Sequence, residues 1–102
     1  MDKYEIIDRI SAFRTEKKMS ARTLSLESDL SETYISRLEQ GNSFLPSMEA
    51  LLNIITLGLK ITPEEFFYSD FRAYKKDKEI IDLLNVATLE RKEAALTILK
   101  LK

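Results

Sequence analysis

The sequence predicts an all-α protein, because it has little material for tight turns and its apolar residues recur at helical spacing. Only two glycines and two prolines occur in 102 residues, and hairpin turns depend on these residues. Apolar side chains recur three or four residues apart through most of the chain, which is the spacing of one helix face. The chain is 44% hydrophobic and 32% charged, so one domain with a small appendage can bury a core.

The first two helices are predicted from an apolar stripe and a capping residue. Ile6, Ile10 and Phe13, joined by Ile7, lie on one side of a first helix that extends to about residue 18. Ser20 is a suitable N-cap for a short second helix that contains Leu24. This helix ends near Ser28 and Asp29, and Asp29 tolerates the left-handed conformation better than most residues other than glycine.

The third, fourth and fifth helices are predicted from polar caps and a glycine. Ser31 caps the third helix and Gly41 ends it, as glycine does at many helix C-termini. Ser47 begins a fourth helix that extends to about residue 58. Thr62 and Pro63 occupy the first positions of the fifth helix, in a capping box with Glu65. The fourth helix is expected to face the core with Met48, Leu51, Leu52 and Ile55.

The composition excludes most enzyme classes. The chain has no cysteine, no histidine and no tryptophan, so the commonest metal ligands and the commonest general base are missing. We therefore expect no enzyme, no catalytic residue, no metal and no cofactor, and no small-molecule ligand is evident. No apolar run approaches the roughly 18 residues that span a bilayer, and the charged N-terminus is unlike a signal peptide. These features predict a cytoplasmic protein without a membrane partner.

Residues 20–41 contain Ser31, the segment Tyr-Ile-Ser-Arg-Leu-Glu at 34–39 and Gly41, and Pro-Ser-Met-Glu follows at 46–49. With these residues, the segment 20–41 resembles the helix-turn-helix of the XRE/Cro-like (Cro/C1-type) repressor family. The resemblance covers about two-thirds of the chain and implies a five-helix repressor-like DNA-binding domain at 1–68. A connector at 69–76 and a two-helix extension at 77–102 then follow.

The resemblance also implies which residues contact DNA. Residues 31–40 would be the recognition helix, which enters the major groove by its N-terminal end. Arg37 can donate two hydrogen bonds to guanine, Glu32 can accept one from the cytosine amino group, and Thr33 can pack on a thymine methyl. Arg14 and Glu39 would form a partly buried structural ion pair. The implied base-facing residues are Glu32, Thr33, Ser36 and Arg37, and the implied phosphate-facing residues are Ser31, Tyr34, Asn42, Ser43, Lys17, Lys18 and Arg22.

The charge distribution departs from what DNA binding favours. Residues 1–68 hold eight basic and eleven acidic residues, a net charge of −3, while residues 69–102 carry +2. In addition, Ala21 replaces the glutamine with which the family usually contacts phosphate, and Glu32 places a negative charge at the tip of the recognition helix. Because phosphate neutralisation supplies much of DNA affinity, we expect weak non-specific binding and a dependence on dimerisation.

The two C-terminal helices carry more apolar surface than one helix–helix interface needs. A surface helix buries one apolar stripe, whereas apolar residues surround most of both helix axes here. We expect a C2 homodimer, although burial of both faces within one chain remains open. The residues expected to form the dimer are Ile80, Ile81, Leu84, Leu96 and Leu99.

Two functions of different classes therefore remain. The first is a sequence-specific DNA-binding transcription regulator of bacterial or phage type, which acts as a repressor and binds a palindromic operator as a homodimer through residues 31–40. The alternative is a protein-binding adaptor or antitoxin-like regulator that uses its C-terminal helices.

Overall fold

The computed structural model describes residues 1–41 and 44–101, and within these ranges it contains helices and no strand. The prediction of an all-α protein is confirmed. The chain divides into two compact units, Met1–Phe67 (the N-terminal unit) and Tyr68–Lys102 (the C-terminal unit). The helices are α1 (Lys3–Glu16), α2 (Ala21–Glu27), α3 (Tyr34–Glu39), α4 (Met48–Asn53), α5 (Pro63–Phe67), α6 (Tyr74–Val86) and α7 (Leu89–Leu99).

Four helices begin at hydroxyl caps, and the sequence predicts the first three of them. The side chains of Ser20, Ser47, Thr62 and Thr88 each accept a hydrogen bond from the backbone N–H three residues later, at 3.0–3.3 Å. These bonds satisfy amide groups that have no partner within the helix. The starts of α2, α4, α5 and α7 are therefore set by local chemistry.

Left-handed residues end several elements of the N-terminal unit. Asp29 (φ 60°) follows α2 and Gly41 (φ 77°) follows α3, as predicted. Lys18 follows α1, and Lys60 follows the fourth helical segment, which consists of α4 and the π-helical turn Ile54–Gly58. Both lysines also have a φ of 56°. At Lys18 the bonds Lys18 N–H to Thr15 O and Met19 N–H to Arg14 O, both 3.0 Å, close the helix end. Two lysines thus occupy positions that glycine fills most easily.

The core of the N-terminal unit lies between α1, α2, α3, the fourth helical segment and α5. Phe66 is completely buried, and its ring stacks on Phe13 with centroids 5.9 Å apart. The buried Arg9 side chain donates a 2.8 Å hydrogen bond to the carbonyl of Phe66, so α1 also holds the end of α5. The other fully or nearly fully buried apolar side chains are Ile10, Leu24, Ile35, Leu38, Ile54, Ile55 and Leu59.

The fourth helix differs from the prediction in its buried face. Met48 and Leu52 are 68% and 39% exposed, whereas Ala50, Leu51, Ile54 and Ile55 are buried. Leu52 lies on the far side of the face that these four residues form, and Met48 lies in the first turn, at the edge of that face.

The predicted extent of the fourth helix, to about residue 58, holds because α4 continues into a π-helical turn, Ile54–Gly58. Gly58 at its end lies so close to α2 that a Cβ atom there would clash with Ser28 Oγ and Leu24 Cδ1.

The third helix begins later than predicted. It starts at Tyr34 and ends at Glu39, so the predicted range 31–40 is too long. Ser31 does not cap it through its side chain; its carbonyl accepts the Tyr34 N–H at 3.0 Å, and residues 32 and 33 form a turn. A turn closed by the backbone of Ser31 leaves the side chains of residues 32 and 33 outside the helix proper.

The C-terminal unit contains a 3-10 turn, Phe71–Ala73, followed by α6 and α7. The sequence predicts a connector at 69–76, but α6 already begins at Tyr74. The Tyr68 hydroxyl donates a 2.7 Å hydrogen bond to Asp77, and its ring packs edge-on against Tyr74. Neither α6 nor α7 has a fully buried residue. Within the two described ranges no helix is long and apolar enough to cross a membrane.

A buried serine connects α2 to α3. Ser25 Oγ donates to the carbonyl of Ala21 at 2.8 Å and accepts the backbone N–H of Ile35 at 3.0 Å. Ser28, the equally buried residue directly after α2, donates to the carbonyl of Leu24, at 2.7 Å. The two serines therefore differ in whether an amide of another helix depends on them.

We expect Ser25→Ala to lower the free energy of unfolding by about 1–3 kcal/mol, because the Ile35 N–H is left buried without its acceptor. Ser28→Ala should cost no more than about 1 kcal/mol, since the Leu24 carbonyl still accepts the Ser28 N–H. Urea unfolding followed by circular dichroism measures both. Equal losses in the two variants would contradict this role of Ser25.

Candidate nucleic-acid interface

The α2–turn–α3 segment is held in place from both sides. The Ser25 bond fixes the start of α3 against α2. Glu39 at its end receives two hydrogen bonds from Arg14, Nε to Oε2 and Nη2 to Oε1, both 2.8 Å long. The third nitrogen of this guanidinium, Nη1, donates to the carbonyl of Met19 at 2.9 Å. The ion pair therefore joins the end of α1 to the end of α3, and Arg37 of α3 remains exposed.

The four side chains that the resemblance assigns to base edges lie on α3 and the turn before it. Glu32 and Thr33 are exposed in the turn. Ser36 is half-buried on α3, and Arg37 is exposed one residue later. The four positions thus lie within six consecutive residues, 32–37, but only two of them are helical.

Glu32 forms an ion pair with Arg22 of α2. The distance from Arg22 Nε to Glu32 Oε2 is 3.3 Å, and the two side chains are 68% and 61% exposed. Arg22, which is expected to contact phosphate, is therefore paired with Glu32, which is expected to contact a base. Sequence reasoning assigned both residues separately and did not predict the pair, which joins positions ten residues apart.

Phe44 is a residue of this surface that the sequence analysis missed. The Arg37 guanidinium lies over its ring, 5.4 Å from the centroid, and the Tyr34 ring meets it edge-on at 5.5 Å. Such a contact restrains a long arginine side chain and favours its planar group. The signal available in the sequence was the i, i+3 spacing of Tyr34 and Arg37, followed by an aromatic residue shortly after the glycine that ends α3.

Burial raises the pKa of the Tyr34 hydroxyl above its ordinary value of 10.0, although the positive charge of Arg37 acts in the opposite direction. The phenol is therefore neutral at physiological pH. A neutral hydroxyl can donate a hydrogen bond to an anionic oxygen such as that of a phosphate.

The remaining residues expected to face phosphate lie at the ends of elements. Ser31 is exposed before the turn. Lys17 and Lys18 are exposed in the turn after α1, which Arg14 connects to Glu39. Asn42 and Ser43 lie outside the described residues.

Replacing the left-handed Lys18 by glycine tests whether its side chain contacts DNA, because the change should stabilise the fold while it removes a positive charge. Lys18→Gly should raise the free energy of unfolding by about 0.5–1 kcal/mol, because glycine relieves the left-handed backbone at a small cost in unfolded-state entropy. If Lys18 contacts a phosphate, the same change should reduce the slope of log affinity against log salt for duplex DNA by about 0.9.

Lys60→Gly is the matched control, since Lys60 has the same φ but pairs with Glu27 at 3.2 Å. It should gain slightly less stability and leave the salt slope unchanged. Urea titration and fluorescence anisotropy at several salt concentrations measure both quantities. An unchanged slope in Lys18→Gly would remove Lys18 from the interface.

Among the residues expected to form a dimer, Ile80, Ile81, Leu96 and Leu99 are exposed and Leu84 is half-buried. Leu84 lines two grooves of the C-terminal unit. One is completed by Asn85, Lys92, Ala95, Leu96 and Leu99, and the other by Ile80, Leu83, Val86, Ala87 and Arg91.

Comparisons of the chain with protein-family models, with curated proteins and with solved structures found no significant match.

Proposed function

We propose that this protein is a sequence-specific DNA-binding regulator, a repressor that binds its operator as a homodimer. The observation that carries the proposal is the α2–turn–α3 segment. A left-handed Asp29, the bond from Ile35 to Ser25 and the Arg14–Glu39 pair hold α3 so that Arg37 and the turn before it stay exposed. A rigid helix with exposed polar residues near its start is what major-groove readout requires.

The exposed side chains suit base recognition more than general attraction to DNA. Arg37 offers the bidentate fork that pairs with guanine, and Glu32 offers an acceptor for an amino group. The N-terminal 68 residues carry −3 overall, and Arg14, Arg22 and Lys60 are each paired with a carboxylate. Affinity for an arbitrary duplex should therefore be low, and the base contacts should contribute a large share of specific binding.

The C-terminal unit supports the dimer. Its helices expose large apolar side chains along their length, with Val86 83% exposed. Apolar residues exposed in this number usually mark an interface, and a helical pair of this size is too small to bury a core alone. Two copies of the hairpin would bring two α3 helices into one assembly. A palindromic operator requires two such helices, because the centres of its half-sites lie about one helical turn apart.

Selection of duplexes from a random pool at low salt tests the proposal, together with light scattering of the purified protein. We expect enrichment of a two-fold symmetric site and a mass of two chains. Enrichment of no sequence would contradict DNA recognition, and a monomeric mass would contradict the dimer.

Two observations favour a second candidate, a protein-binding adaptor or antitoxin-like regulator. The apolar surface of α6 and α7 could receive a different protein, and the acidic N-terminal unit does not attract DNA in general. A stable complex with an unrelated chain at fixed stoichiometry, together with a selection that enriches no duplex, would support this candidate over the first.

A further inference from the structure

The Arg22–Glu32 pair lies where the proposed function places DNA. Arg22 comes from α2 and Glu32 from the turn before α3, and the pair bridges these two elements on the exposed surface. Glu32 neighbours Thr33 and precedes Arg37 by five residues, and the side chains of all three proposed base contacts are exposed.

DNA could break this ion pair by offering Arg22 a phosphate in place of the Glu32 carboxylate. Both side chains are more than half exposed and the contact is a single 3.3 Å interaction, and exposed pairs of this kind contribute little to stability. A phosphate is a competing partner for the guanidinium, since arginine pairs with phosphate as readily as with carboxylate. When Arg22 turns to a phosphate, Glu32 loses its counter-charge and faces the negative backbone of the duplex.

We propose that the Arg22–Glu32 pair is a specificity-determining element that suppresses binding to the wrong sequence. This inference rests on the proposed function. On a duplex without a suitable base, Arg22 stays with Glu32, so one phosphate contact is not made and a carboxylate remains close to the backbone. On the operator, the amino group of a cytosine or an adenine in the major groove donates to Glu32 and replaces Arg22.

The replacement has two coupled consequences. Arg22 is released to contact a phosphate, and Glu32 gains a hydrogen-bond donor in place of the cation it gave up. The phosphate contact of Arg22 thus becomes conditional on the base that Glu32 reads. Glu32 then raises the ratio of specific to non-specific affinity mainly by lowering the affinity for non-specific DNA. Specificity can be achieved in this way, by weakening the binding of the wrong partner.

The experiment compares wild type, Glu32→Gln and the control Glu27→Gln on the selected operator and on a scrambled duplex of the same length. Glu27 pairs with Lys60 at 3.2 Å, and these side chains are 45% and 70% exposed, so the control removes an equivalent charge from an equivalent pair. Anisotropy titrations at several salt concentrations give each affinity and its salt slope, and circular dichroism checks that all variants are folded.

We expect Glu32→Gln to bind the scrambled duplex about threefold to tenfold more tightly than wild type at low salt. Its salt slope on that duplex should steepen by about 0.9, as one more phosphate contact is made. Its affinity for the operator should stay equal or fall, so the specificity ratio decreases. Glu27→Gln should match wild type in every one of these measurements.

A double-mutant cycle with Arg22→Gln completes the test. In the Arg22→Gln background, Glu32→Gln should no longer change the salt slope, because no guanidinium is left to release. An unchanged scrambled-duplex affinity and slope in Glu32→Gln, with an operator that wild type still selects, would overturn this inference alone. A wild type that selects no operator would overturn the proposed function, and this inference with it.

Discussion

Replacing Phe66 by alanine should lower the free energy of unfolding of the N-terminal unit by about 3–5 kcal/mol, the cost of removing a fully buried phenylalanine. Its side chain is completely buried, stacks on Phe13 at 5.9 Å and meets Phe67 edge-on at 5.0 Å. The loss is a large part of the 5–15 kcal/mol that typically stabilises a domain. Urea unfolding followed by circular dichroism at several probe wavelengths measures it.

Phe67→Ala is the matched control for this prediction. It removes an equal side chain from the next position of the same helix, but Phe67 is 44% exposed. The loss should be about 1 kcal/mol or less, because most of the effect of such a change comes from the cavity it leaves. If the two variants were destabilised equally, the core would not be centred on Phe66.

Replacing Arg37 by alanine should weaken binding to the selected operator by about 1–3 kcal/mol, which corresponds to roughly 5- to 150-fold in affinity. The reason is the loss of the two parallel hydrogen bonds to a guanine that we propose for its guanidinium, which Phe44 already restrains. Anisotropy titration of the operator, and of variants with each guanine replaced, measures the effect.

Arg37→Lys separates base readout from simple charge. Lysine keeps the positive charge but lacks the planar fork, so it should restore little operator affinity and no preference at the guanine position. If Arg37 contacted a phosphate instead, Arg37→Lys would restore most of the affinity. In that case Arg37→Ala would also weaken operator and scrambled duplexes alike and lower the salt slope by about 0.9. An operator affinity unchanged in Arg37→Ala would remove this residue from the interface.

Local signals predicted the helix ends well. The hydroxyls of Ser20, Ser47 and Thr62 accept the expected amide bonds, and Asp29 and Gly41 take the expected left-handed backbone. These features depend on residues within a few positions of each other, so the sequence contains the whole interaction. The predicted start of α3 was wrong, because the backbone carbonyl of Ser31, and not its side chain, closes the turn before the helix. Any residue could supply that carbonyl, so the identity of the side chain carries no signal.

Apart from the Arg14–Glu39 pair, which the family resemblance implied, the contacts between distant residues were beyond sequence reasoning. Helical periodicity suggested Met48 and Leu52 for the core, but the packing of the fourth segment against α2 left them exposed. Arg22 and Glu32 were assigned separately to phosphate and base, and Phe44 was not assigned to any site. Whether such side chains meet depends on how the helices cross, which no local pattern contains.

The sequence alone determined that this protein is helical, where most of its helices begin and end, and that its C-terminal helices carry surplus apolar surface. It could do so because caps, left-handed ends and periodicity are properties of short segments. The tertiary structure alone decided that Ser25 supports the backbone of Ile35, that Phe66 holds the core, and that Arg22 and Glu32 neutralise each other on the proposed DNA surface. These contacts join residues 10 to 57 positions apart, and only the packing of the core brings them within bonding distance.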